Sequence, residues 1–97
     1  MFRVVEIRFF INETWFSEVW IDTHYEEKHS RSINDQLILE LLGLLNYECF
    51  LPQLVRKDGF QFYETDLFFG GKPYRLIWVI PPDACYIGIR NAYRRSK

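Results

Sequence analysis

Apolar and polar residues alternate along most of this chain, and the period changes once. In residues 2–11, Val5, Ile7, Phe9 and Ile11 share one side while Arg3 and Arg8 fall on different ones. That predicts a strand with one face fully buried and the other partly so. Asn12 to Thr14, "NET", is turn material. Residues 15–21, "WFSEVWI", place Trp15, Ser17, Val19 and Ile21 on one face and Phe16, Glu18 and Trp20 on the other. Its β-branched and aromatic residues favour a second strand closing an N-terminal hairpin. A helix with Trp15, Phe16, Val19 and Trp20 on one stripe fits nearly as well.

The period then lengthens. In "SINDQLILELLGLLN", Ile33, Leu37, Ile38, Leu41, Leu42, Leu44 and Leu45 recur at helical spacing. Ser32 is a candidate N-cap with Asp35 three residues on, and Asn46 is a candidate stop. The pattern predicts a helix over 33–45. Gly43 weakens it by about 1 kcal/mol relative to Ala. Residues 47–59 read as a connection, because Pro52 forbids a long helix there. In 59–69 the apolar side switches from Phe60 and Phe62 to Tyr63, Leu67 and Phe69, which suggests a bulge. Gly70–Gly71 marks a tight hairpin. Residues 73–80, "PYRLIWVI", form a near-continuous apolar strand suited to a sheet centre. After "PPD", residues 84–93 return with Cys85, Ile87 and Ile89 on one face.

The class that follows is α+β in a single domain, residues 1–97. It is an antiparallel sheet of four to five strands, with helix 33–45 and a short helix or turn before it packed on one face. The 97 residues suit one core. No apolar run approaches the roughly 20 residues that span a bilayer. Glu6 and Arg8 make the N-terminus a poor signal peptide. The default expectation is a cytoplasmic protein, with Cys49 and Cys85 as free, semi-buried thiols.

Composition adds two points. Aromatic residues make up 19% of the chain, more than one small core readily hides, which suggests a contact surface. The net charge of −1 conceals an asymmetry. Residues 1–59 hold six Lys/Arg against ten Asp/Glu, and residues 60–97 hold six against three. The ending "RNAYRRSK" is wholly basic, a strip suited to a phosphate backbone or an acidic partner.

Candidate chemistry lies in three places. His24 and His29 are the only histidines. Their spacing puts the rings on different helical faces, and with Asp22 alone at hand no metal site is expected. Proton transfer suits histidine's titration near neutrality, while two solvated side chains on a polar connection is the plainer reading. Arg75 and Arg90 lie within predicted strands, which would hold a guanidinium in the fixed direction phosphate recognition needs. Tyr86 and Tyr93 are suited to stacking on unpaired bases, with Arg94, Arg95 and Lys97 as basic companions. A solvated sheet face with a frayed basic tail is the ordinary alternative. Glu26 and Glu27 lie near the start of the helix, where they favour its dipole and would repel nucleic acid.

Three stretches carry a resemblance. "DTHYEEKHSRSI", "GGKPYRLIWVI" and "YIGIRNAYRR" resemble the RelE/ParE-like small toxins of bacterial toxin–antitoxin systems, in particular the BrnT-like branch. The resemblance spans most of residues 20–95. It implies a compact endoribonuclease that cuts RNA without a metal or other cofactor, activating the ribose 2′-OH against the adjacent phosphate. By position Arg75 matches the central-strand arginine that touches phosphate, Arg90 and Tyr93 the C-terminal basic and aromatic pair, and His24 the branch's histidine. His29 is a second candidate for the proton. An antitoxin or other protein partner, or a homodimer, would cover the exposed aromatics. Two departures stand out: the slightly acidic charge, and a strand at 2–11 ahead of the family's strand–helix–helix–three-strand order. The alternative function is a non-catalytic interaction module, immunity- or antitoxin-like or an adaptor, binding through an aromatic-rich sheet surface.

Overall fold

The N-terminal alternation folds as a hairpin. In the computed structural model, which describes residues 1–95, β1 (Phe2–Ile11) pairs antiparallel with β2 (Thr14–Asp22). Asn12 and Glu13 make the turn with φ of 54° and 60°, the doubly left-handed geometry that matches strand twist in two-residue hairpins. Phe16 and Val19 are both buried, because the register shifts between Glu6 and Phe9 on β1. The strict alternation expected for 15–21 therefore slips by one residue.

After β2 a 3-10 turn (Thr23–Tyr25) leads into a four-residue helix, α1 (Glu26–His29). Helix α2 spans Asp35–Gly43. The short β3 (Leu54–Val55), β4 (Gln61–Phe69), β5 (Lys72–Ile80) and β6 (Ile87–Arg94) follow. The strand order is β1-β2-β6-β5-β4-β3, with β2 and β6 parallel and the other pairs antiparallel.

This corrects the expected architecture. The antiparallel sheet of four to five strands is a mixed sheet of six, and the long helix over 33–45 is a nine-residue helix preceded by a four-residue one. The physical reason lies at the helix ends. Asn34, not Ser32, is the cap: its backbone is extended and its side chain accepts the Leu37 N–H. Ile33 is buried ahead of the helix. At the other end, Leu44 and Leu45 donate to carbonyls only three residues back, and Tyr47 turns the chain away with φ of 67°. The apolar run outlasts the helix because Ile33 and Leu45 pack from flanking turns.

The bulge expected in 59–69 is also absent. β4 pairs with β5 without interruption from Gln61↔Ile80 to Phe69↔Lys72. Tyr63 faces the core, and Phe62 and Phe68 face the other way. The bulge lies in β6, where the register moves from Ile77↔Asn91 to Trp78↔Ile89 and leaves Arg90 as the extra residue.

One face of the sheet holds the core. Ile38, Leu41, Leu42 and Leu45 join Tyr63, Tyr74, Leu76, Trp78, Ile87 and Ile89 in a single buried cluster. At roughly 1.5–3 kcal/mol per large apolar side chain removed from water, this layer dominates stability. Among the described residues the opposite, open face carries no layer of helices, although α1 meets it where His29 stands against Tyr93. Among the described residues no helix is long and apolar enough to cross a membrane. Cys49 and Cys85 are free but exposed, not semi-buried.

Candidate functional site

Directly opposed residues on adjacent strands share a sheet face, so the registers assign the open face row by row. One row runs Phe62, Val79, Gly88, Trp20. The next runs Glu64, Ile77, Asn91, and the third Asp66, Arg75, Tyr93. Arg90, displaced by its bulge, reaches the same face beside Asp22.

Two clusters form there. In the first, Arg90, His24, Asp22 and Glu27 line a depression of about 470 Å³ whose apolar wall includes Phe62 and Ile77. β2 ends at Asp22, and that residue orders the cluster. One carboxylate oxygen accepts the His24 backbone N–H at 2.9 Å, capping the 3-10 turn. The other lies 4.0 Å from Arg90 Nε. His24 Nδ1 lies 3.4 Å from Glu27 Oε2, one helical turn on. The imidazole, 56% exposed, thus has one nitrogen beside a carboxylate and its other free to meet a ligand.

The second cluster sits beyond Ile77. Asp66 accepts two hydrogen bonds from Arg75, at 2.7 and 3.1 Å, and one from Arg95 at 2.8 Å. Glu64 lies 3.2 Å from Arg75. The third nitrogen of Arg75 donates to the Tyr93 hydroxyl at 3.5 Å. His29 stands edge-on to Tyr93, ring centroids 5.4 Å apart. The Arg75 guanidinium holds the Asp66 carboxyl below its ordinary range, and Asp66 in turn raises the Arg75 pKa.

Five sequence-predicted residues, His24, His29, Arg75, Arg90 and Tyr93, therefore lie on one side of the molecule, in two neighbouring groups. Arg95 joins the second group. Arg94 pairs in register with Tyr74 and belongs to the core-side row. Tyr86 is stacked on Trp20, centroids 4.4 Å apart and planes 14° from parallel. Lys97 lies outside the described residues. Among the described residues no group of three His, Cys, Asp or Glu side chains is arranged to hold a metal ion.

Sequence reasoning missed Glu64 and Asp66, although a signal for them exists. A two-residue turn at Gly70–Gly71 joins Phe69 to Lys72, so any two residue numbers summing to 141 are opposed, including 66 with 75 and 64 with 77. It also read Glu27 only as favouring the helix dipole and repelling nucleic acid, not as a partner of His24.

Chemically, the first depression joins a proton carrier beside a carboxylate to an unburied guanidinium, the set that acid–base attack at a phosphate or acyl centre requires. The second presents a guanidinium already neutralised by two carboxylates. Comparison with protein-family models, with curated proteins and with solved structures finds no match.

Proposed function

We propose that this protein is a small RelE-like endoribonuclease that works from its open sheet face. The observation that carries the reading is the shared depression of His24 and Arg90, with Glu27 beside the imidazole. A further support is the order β2–α1–α2–β4–β5–β6, which is the strand–helix–helix–three-strand order of the resembling family once β1 and the two-residue β3 are set aside.

In this reading the Arg90 guanidinium binds the scissile phosphate and offsets the charge that builds on it. His24 takes the proton from the ribose 2′-OH as that oxygen attacks phosphorus. The same site then returns a proton to the departing 5′ oxygen, leaving a 2′,3′-cyclic phosphate and a free 5′-OH. Arg75 and Tyr93 would hold the neighbouring backbone, with His29 behind the tyrosine ring.

The test is cleavage of end-labelled single-stranded RNA by purified protein, with product ends identified by mass spectrometry. His24→Ala and Arg90→Ala should each lower the rate by roughly 10²-fold or more. Arg94→Ala, on the other face, should leave it unchanged. Expression in a bacterial host should arrest growth, and Arg75→Ala should relieve the arrest. If purified protein cleaves no RNA and expression does not arrest growth, the proposal falls.

A second reading, a non-catalytic module that binds an antitoxin-like or other protein partner, is favoured by one observation. Asp66 and Glu64 already occupy Arg75, and the face also exposes Phe2, Val4 and Phe68. A stable complex with an acidic or aromatic-seeking protein, with no RNA cleavage, would support this reading instead.

A further inference from the structure

A second depression adjoins the first and shares Phe62 and Arg90 with it. Its volume is about 230 Å³, and Phe2, Arg56, Phe60, Val79, Tyr86 and Gly88 complete its lining. We infer that it is a binding site for one unpaired nucleobase, whose attached phosphate is held by Arg90. The inference deepens the ribonuclease reading by naming how substrate is seated, and it stands on three separate features.

The first is the rigid aromatic wall. Tyr86 lies flat against Trp20, and the Trp20 indole N–H is anchored by Glu18 at 3.0 Å. Phe2 closes the outer side, 6.0 Å from Trp20. A ring already fixed in place loses little freedom when a base stacks on it.

The second is the floor. A Cβ placed on Gly88 would lie 2.8 Å from Val79 Cγ2 and 3.5 Å from Tyr86 Cε1. Gly88 has no left-handed backbone to account for its identity, so space does. Without a side chain there, Val79 and the Tyr86 ring close over the strand, and both line the hollow.

The third is charge. The Arg56 guanidinium lies 5.2 Å from the ring centres of both Phe60 and Phe62, and Arg90 also lines the hollow. Asp58 binds Arg56 and Asp22 approaches Arg90, so neither cation is unopposed. A largely aromatic hollow whose lining includes two guanidiniums fits a planar group that carries a phosphate. Because Arg90 lines both hollows, a base in the smaller one puts its phosphate at the mouth of the larger, facing His24.

The experiment is a heteronuclear NMR titration of the full chain with an adenylyl-adenosine dinucleotide. Its 5′ sugar is 2′-deoxy, so it cannot be cleaved. The Gly88 amide and the Trp20 indole N–H should shift and saturate together. Phe62→Ala should weaken binding by about tenfold or more, the usual effect of deleting a stacking ring. Phe2→Ala, at a half-exposed ring outside the buried core, should weaken it several-fold. Shifts absent or centred elsewhere would overturn the site. So would equal affinity for ribose 5-phosphate, which would mean that only the anion is recognised. The two readings separate cleanly. Dinucleotide binding without RNA cleavage keeps the base site and removes the ribonuclease, whereas cleavage without dinucleotide shifts does the reverse.

Discussion

Replacing Asp35 by Ala should destabilise the fold by about 2–4 kcal/mol, because one carboxylate holds three elements together. The Tyr25 hydroxyl, on a residue only 2% exposed, donates to Asp35 at 2.6 Å. A bond from a buried hydroxyl to a charged acceptor contributes roughly 1.5–3 kcal/mol, and removing the acceptor strands the donor. Arg3 of β1 donates twice to Asp35, at 2.6 and 2.9 Å, but its side chain is 43% exposed, so solvent screening leaves that pair a minor share. Asp35 is also the first residue of α2, where a negative charge meets the helix dipole and adds about 0.3–1 kcal/mol. Urea unfolding followed by tryptophan fluorescence measures the total. A double-mutant cycle with Tyr25→Phe should return a coupling of about 1–2 kcal/mol. Arg3 and Tyr25 hold the Asp35 carboxyl below its usual range. A depressed carboxylate stabilises above its unfolded pKa and stops doing so as pH falls through the folded one. The gap between wild type and Asp35→Ala should therefore shrink in acid. A loss under about 0.5 kcal/mol, or simple additivity with Tyr25→Phe, would refute the reasoning.

Other expectations use the same structure. Burial, and then the bond to Asp35, push the Tyr25 hydroxyl up from 10.0 to about 12. Its contribution is complete below the unfolded value and lost as pH rises through the folded one, so alkaline unfolding curves should be flatter for Tyr25→Phe than for wild type. Gly88→Ala should cost about 1–3 kcal/mol by thermal melting, since Val79 is stiff at its branched carbon and 3% exposed. A melting temperature equal to wild type would mean that the strand simply shifts. On the ribonuclease proposal, Asp66→Asn frees Arg95 and leaves Arg75 opposed by Glu64 alone, so RNA affinity should rise several-fold at low salt and depend more steeply on salt concentration. Unchanged affinity by fluorescence anisotropy would show that RNA does not meet the second cluster.

The lesson about legibility lies in particular residues. Asn12–Glu13 and Gly70–Gly71 announce their hairpins locally, because left-handed turn conformations suit few residue types. From Gly70–Gly71 alone the opposition of Asp66 to Arg75 follows. By contrast, Ile33 and Leu45 extend the helical pattern while lying outside the helix. Burial from a turn and burial from a helix leave the same apolar mark. Phe60 and Phe62 looked like a bulge because an aromatic on the open face of β4 is indistinguishable by type from one facing the core.

Taken alone, the order of residues indicated the tight hairpins, the antiparallel partners they join and an apolar helical stretch within 33–45, but not β3, the six-stranded mixed sheet or where the helix starts and stops. Each feature so indicated is set by contacts a few residues apart, where side-chain period and turn chemistry act directly. Only the folded chain decided that β2 lies parallel to β6, that Arg90 is the extra residue of a bulge, and that Asp22 thereby meets it. The β2–β6 pairing and the Asp22–Arg90 approach join segments some seventy residues apart. They follow from which arrangement buries the most apolar surface at the least cost in chain entropy, a comparison no local pattern records.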